Sequence, residues 1–96
     1  MHVEITRPDD WHLHLRDGPA TADVVAAPAR VFARAVVMPN RRPPLTTPEQ
    51  ALADRRRIPD ALPAARDFEP LTTLYHTDDT PVEEVLRARE SGIVGF

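Results

Sequence analysis

The sequence predicts an α/β fold built on a parallel sheet, and three observations predict it. From Trp11 onward, short β-branched runs alternate with longer stretches of helical pattern, in the order strand, helix, strand, helix, strand, helix, strand. One run, Ala35-Val36-Val37-Met38, is apolar without a break, as a strand covered on both faces would be. The junctions carry the residues that chain reversals and helix starts need: Asp17-Gly18-Pro19, Thr47-Pro48 and Gly92.

The elements follow in order. Val3–Thr6 reads as a short strand and Pro8-Asp9-Asp10 as a turn. Trp11–Leu15 alternates, so as a strand it would send His12, His14 and Arg16 to one face and Trp11, Leu13 and Leu15 to the other. A helix then opens near Asp17 or Gly18, with Pro19 in its first turn. It extends to about Phe32, with Val24, Val25, Pro28, Val31 and Phe32 as its apolar contacts and Pro28 as a kink or division. After Ala35–Met38 comes a proline-rich loop, Arg41–Leu45. Thr47 then caps a helix with Pro48 at N1 and Gln50 three residues after the cap. That helix carries Ala51, Leu52, Ile58 and Leu62, with Pro59 as a late kink or stop. Phe68–Tyr75 is the next strand, weakened by Pro70. Asp78-Asp79-Thr80-Pro81 starts a helix with Val82, Val85 and Leu86 on one side, Gly92 closes it at C′, and Ile93–Phe96 begins a fourth strand.

Composition narrows the class. An apolar fraction of 42% in 96 residues suits one small folded unit rather than a disordered chain. The net charge of −3 gives no reason to expect nucleic acid. With no cysteine there is neither a disulfide framework nor a thiolate metal site. Charged residues near the start argue against a secretory signal, and no apolar run is long enough to span a bilayer, so a soluble, cytoplasmic protein is expected. All 12 basic residues are arginine. Four parallel strands would leave two open edges, and the chain stops inside an apolar run, one residue past Gly95. The expectation is that residues 1–96 are the N-terminal portion of one longer domain, a (β/α)8 barrel. Such a barrel needs roughly 250 residues, and this chain would supply about half of one.

The chemistry concentrates in Trp11–Gly18. On a strand, residues i and i+2 lie about 6.6 Å apart on one face, and two imidazoles so placed can converge on one ion at about 2.0–2.1 Å. A lone His-x-His also occurs as two satisfied histidines at a strand end. Here the pair precedes a strand-to-helix break, where sites form in parallel α/β folds. The Arg16 fork suits a carboxylate bidentately, or a salt bridge to Asp17 or a neighbouring helix. Asn40 ends the next strand at the same rim, where its amide can donate to a carboxylate or serve ordinary turn chemistry. His76 follows the third strand and reads as a loop histidine that can reach the rim. His2 is terminal, and Arg55-Arg56-Arg57 reads as a solvated helix face.

The string Pro8-Asp9-Asp10-Trp11-His12-Leu13-His14-Leu15-Arg16-Asp17-Gly18 closely resembles the first metal motif of the short-form (class II) bacterial dihydroorotases of the amidohydrolase superfamily. Ala35–Asn40 resembles their second motif, and Pro43-Pro44, Thr46-Thr47, Leu71-Thr72, Tyr75 and Thr77-Asp78 continue the match in order. The resemblance covers essentially the whole chain. His-x-His alone is shared by many amidohydrolases; the extended string with Met-Pro-Asn is far more specific.

The resemblance implies a (β/α)8 barrel that interconverts L-dihydroorotate and N-carbamoyl-L-aspartate in pyrimidine synthesis. It implies two zinc ions per subunit, with His12 and His14 matching the ligands of the more buried one and Arg16 and Asn40 matching residues that hold the substrate carboxylate. A carboxylated lysine bridging the metals, a proton-shuttling aspartate and the remaining histidine ligands would lie outside these residues, which contain no lysine. Asp17 does not match that aspartate, and His76 stands where the family has an apolar residue. The resemblance further implies a homodimer, and residues 1–96 alone are expected to be inactive. Two rival readings stay open: another cyclic-amide hydrolase of the hydantoinase or allantoinase kind, and a non-catalytic relative acting as an assembly partner. A substrate with a free carboxylate, as Arg16 and Asn40 together suggest, favours dihydroorotate over the first; the intact set His12, His14, Arg16 and Asn40 argues against the second.

Overall fold

A computed structural model describes residues 1–62 and 67–96. Six elements follow one another: β1 (Asp10–Leu13), α1 (Ala20–Val31), β2 (Arg34–Val37), α2 (Pro48–Asp60), β3 (Glu69–Thr72) and α3 (Val82–Glu90). The three strands form one sheet in the order β1-β2-β3, and both pairings are parallel. Each crossover between parallel neighbours is a helix, as such a sheet requires. No helix among the described residues is long and apolar enough to cross a membrane.

The core lies where the helices meet the sheet. Val25 and Ala29 of α1, Ala35 and Val37 of β2, and Ile58 of α2 are buried together with Leu15 and Phe68. α1 buries Thr21, Val25 and Ala29, a strict i, i+4, i+8 stripe, while Val31 faces solvent. The expected contact from Val31 is therefore not made. Pro28 neither divides nor ends α1. It sits in the last turn, where the missing N–H removes one bond only. The end is closed by the Phe32 N–H to the Pro28 carbonyl at 2.8 Å and by Arg7 Nη2 to the Ala29 carbonyl at 2.6 Å.

α2 starts as its sequence predicts. The Thr47 side chain accepts from the Gln50 N–H, the Gln50 side chain accepts from the Thr47 N–H, and Pro48 takes the first turn. α3 ends in a Schellman motif: Gly92, at φ +76°, donates its N–H to the Arg89 carbonyl, and Ile93 donates to Ala88. A left-handed residue is needed there, which is why glycine occupies it.

Several expectations are corrected. Val3–Thr6 forms no strand; its residues are exposed, and the N-terminal arm is tied down only from Arg7, whose Nη1 reaches the Asp67 carbonyl at 2.5 Å. The third strand is shorter than Phe68–Tyr75, with Pro70 lying inside it opposite Ala35. Val82, Val85 and Leu86 of α3 are exposed; only Ala88 of that helix is buried. The fourth strand is reduced to a single parallel bridge, Thr73 to Gly95. Its backbone bonds are already those of a parallel ladder: Val94 N–H to Thr72 O and Leu74 N–H to Gly95 O, both 3.0 Å.

Candidate metal and substrate site

The site begins with a defect in β1. Asp10 pairs with Ala35 but Leu13 pairs with Val37, so three steps on β1 oppose two on β2. The extra residue is a bulge, a device that re-aims side chains beside active sites. The Asp10 carboxylate explains it locally, accepting the His12 N–H at 2.9 Å and so drawing that donor toward its own side chain. The simple alternation expected for Trp11–Leu15 accordingly fails at Trp11. Trp11 is turned outward, 61% exposed, with the Arg34 guanidinium 5.7 Å from its ring centroid, while Leu15 alone of the expected apolar face is fully buried.

The two histidines nevertheless converge. His12 Nε2 and His14 Nε2 are 3.0 Å apart, with ring centroids at 4.9 Å and planes inclined by 64°. That separation admits one N–H···N hydrogen bond between neutral rings. It is also close to the spacing of about 3.3 Å that two ligands of one tetrahedral zinc would have. The donor set thus fits two corners of a zinc site. Among the described residues no three His, Cys, Asp or Glu side chains gather closely enough to hold a metal by themselves.

Around this pair opens a cleft of about 410 Å³ at the C-terminal ends of the strands, lined by both histidines, Met38, Pro39 and Asn40 after β2, and Leu74, Tyr75, His76 and Phe96. Asn40 also lines a smaller crevice of about 180 Å³ with Leu15, Arg16, Asp17, Arg41 and Arg42, and so joins the histidine cleft to Arg16. All four sequence-derived candidates therefore sit on one rim. Arg16 is exposed and enters no ion pair among the described residues; its neighbour Asp17 pairs instead with Arg57, at 3.3 Å. His76, read from sequence as a loop histidine, is exposed in the same cleft and meets Phe96 edge-on, with ring centroids 6.3 Å apart.

One polar feature escaped the sequence reading. Arg41 and Asp54 form an ion pair at 2.8 Å with side chains only 6% and 4% exposed, and Asp54 also accepts from Arg57 Nη2 at 2.9 Å. Arg57 is thus more than part of a solvated basic face. The available signal was Asp54 itself, three residues after Ala51 and four before Ile58 on the buried stripe of α2, where a carboxylate demands a partner.

No family model matches the chain. It is 62% identical over 90 residues to a dihydroorotase of Nitrosococcus oceani, covering 94% of this chain and 26% of that protein. It is 64% identical over 92 residues to one of Cupriavidus metallidurans, covering 96% and 27%. The chain therefore spans about a quarter of the length of the curated relatives it matches. The crystal structure of a Campylobacter jejuni dihydroorotase superposes with a TM-score of 0.82 at 34% identity, over 93% of this chain and 26% of that one. A Saccharomyces cerevisiae dihydroorotase, at 23% identity and a TM-score of 0.77 over 90% of this chain and 23% of that one, shares the fold.

Proposed function

The chain resembles the dihydroorotases along almost its whole length, and from that premise we propose that it is the N-terminal part of such an enzyme. It would carry one edge of the site in which L-dihydroorotate and N-carbamoyl-L-aspartate interconvert. The observation that carries this reading is the convergence of His12 and His14 at 3.0 Å on the rim that also holds Arg16 and Asn40. Two nitrogen ligands and an anion-binding fork on one rim are what a metal-assisted hydrolase of a carboxylate-bearing cyclic amide needs. The same combination favours dihydroorotate over hydantoin or allantoin.

In this reading His12 and His14 would hold one zinc. Zinc, when bound, supplies the Lewis acidity that opening a cyclic amide requires. The chain's own part is recognition and orientation. The Arg16 guanidinium donates two parallel N–H bonds to the substrate carboxylate, fixing its plane as well as its place. The Asn40 side-chain amide donates a further one from the next strand. Apolar Met38, Leu74 and Phe96 line the cleft. The bridging ligand must come from elsewhere, since these residues include no lysine. Two zinc ions per subunit, a bridging carboxylated lysine, a homodimer and a cytoplasmic location are the finer form of the proposal, carried by the family resemblance alone.

The test is turnover of L-dihydroorotate, hydantoin and allantoin by the intact protein, with zinc measured alongside. Turnover of dihydroorotate is expected; none would end the proposal. His12→Ala should remove zinc and activity together. Arg16→Ala should keep zinc and raise KM. An equal fall of zinc in both variants would overturn the division of roles.

A further inference from the structure

We propose that the buried Arg41–Asp54 pair is a positioning device for the substrate clamp, holding Asn40 at a fixed place relative to Arg16. The inference rests on the reading of Arg16 and Asn40 as the groups that bind a substrate carboxylate.

Asn40 is the middle residue of a three-residue turn closed by the Arg41 N–H donating to the Pro39 carbonyl at 2.8 Å. The same carbonyl accepts from the Leu45 N–H at 3.0 Å, so the loop is gathered on its first residue. Those two bonds set the local shape of the turn, and the loop's far end is held where the Leu45 carbonyl accepts the Tyr75 N–H at 2.7 Å. Beside Asn40 itself the side-chain tie is Arg41, whose Nη2 donates to Asp54 Oδ2 on α2. The other oxygen of that carboxylate, Oδ1, accepts from Arg57 Nη2, and Arg57 Nη1 lies 3.3 Å from Asp17. The charges alternate along the line Arg41, Asp54, Arg57, Asp17. Its two ends are the residues immediately after Asn40 and Arg16. One helix, α2, thereby holds the backbone beside both halves of the clamp.

The links differ in strength, and the difference decides where to test. Arg57 and Asp17 are each more than half exposed, so their contact is screened and weak. Arg41 and Asp54 are almost wholly buried, so their geometry is firm, and loss of Asp54 strands Arg41. Burying a charge pair is a poor way to gain stability, because apolar residues of similar size often serve the fold as well. What a pair of apolar residues would not reproduce is the directed bond that fixes Arg41, and hence Asn40, against α2.

The experiment uses the intact enzyme with L-dihydroorotate, measuring kcat, KM and bound zinc. Replacing both partners, as Arg41→Met with Asp54→Leu, avoids a stranded charge. It should raise KM about three- to tenfold, with kcat and zinc nearly unchanged. Asn40→Ala alone should raise KM about tenfold or more. Combining all three substitutions should leave KM no higher than Asn40→Ala does, because the pair acts through Asn40. Arg41→Met alone, which leaves Asp54 its bond from Arg57, should raise KM in the same direction and covers the case in which the double variant misfolds. A wild-type KM in the folded double variant or in Arg41→Met overturns the inference, as does a KM for the triple variant equal to the product of the separate effects. Either result leaves the clamp standing if Asn40→Ala still raises KM. An unchanged KM in Asn40→Ala removes the clamp reading and the inference with it.

Discussion

The β1–β3 sheet with α1 and α2 differs from the α3 end of the same chain in how each uses its apolar residues. In the first region they meet each other: Val25, Ala29, Ala35 and Ile58 are 0% exposed. In the second, α3 buries only Ala88, in a small cluster with Ala51, Leu74 and Ile93, while Val82 is 73% and Leu86 60% exposed. Val94 and Phe96, beyond α3, are also exposed. Yet α3 is locally well formed. Glu83 and Glu84 lie in its first turn, Arg87 and Arg89 in its last, and its C-terminus is fully capped. Local signals therefore make the helix, but tertiary packing has not used its apolar side. The comparison teaches that the apolar residues of the first region cover one another, while α3 and the bridge at Gly95 present an uncovered apolar side.

The largest effect expected from this difference concerns the 96-residue polypeptide by itself. It should lack a cooperative thermal transition and bind a hydrophobic dye, because its exposed apolar side leaves too little net stability of the usual 5–15 kcal/mol (about 0.05–0.15 kcal/mol per residue). A sharp calorimetric transition would break the comparison, since the α3 side would then need nothing to cover it. In the intact protein, Ile58→Ala should cost about 2–5 kcal/mol in denaturant unfolding, through the cavity left between α2 and the sheet. Leu86→Ala should cost less, about 1.5–3 kcal/mol if further chain buries that side chain. A value within about 0.5 kcal/mol would mean that Leu86 stays in water.

How much of this was legible in the sequence follows from the same contrast. The helix at Thr47 was readable to the residue, because a capping box and a proline at N1 are local chemistry. Gly92 was readable because a left-handed C′ position is local too. The parallel order followed from alternation of strand and helix. The shared side of His12 and His14 and the inward Leu13 and Leu15 were legible from alternation; the outward turn of Trp11 was not, since a bulge depends on how two strands register, and Asp10 competing for the His12 N–H leaves no periodic trace. Val3–Thr6 has strand-forming residues but no neighbour to pair with among the described residues, and pairing decides. Around the candidate site, the placing of His12 within β1, of His14 and Arg16 after it, and of Asn40 after β2 was legible from the strand pattern. The Arg41–Asp54 pair was not, because it joins a loop to a helix 13 residues away.

The smallest effect lies at the far margin of the first region, which is held by charge where α3 is left apolar. Arg34, at the start of β2, grips Asp9 through Nη2 at 2.5 Å and Nε at 3.2 Å. That hydrogen bond, reinforced by the guanidinium's charge, holds the Asp9 carboxyl below its ordinary value of 3.8. The sign follows from linkage. A carboxyl whose value is lower in the folded state adds stability that is complete above the unfolded value and is lost as pH falls through the folded one. The contact should thus contribute fully at neutral pH and disappear only in acid, and its size should be small because the Arg34 side of the pair is about half exposed. Trp11 offers the readout, being the only tryptophan in the chain and lying beneath the same Arg34 guanidinium. Acid titration should change Trp11 fluorescence with a midpoint below 3.8, and Asp9→Asn should abolish that step while leaving fluorescence at neutral pH close to that of the parent. A step that survives in Asp9→Asn would assign the titration to another carboxyl and release Arg34 from this role. A midpoint at or above the ordinary carboxyl value would mean that the two side chains do not hold each other in solution, and that the N-terminal margin rests on the two carbonyl contacts of Arg7 and on the Ala33 N–H to the Pro8 carbonyl.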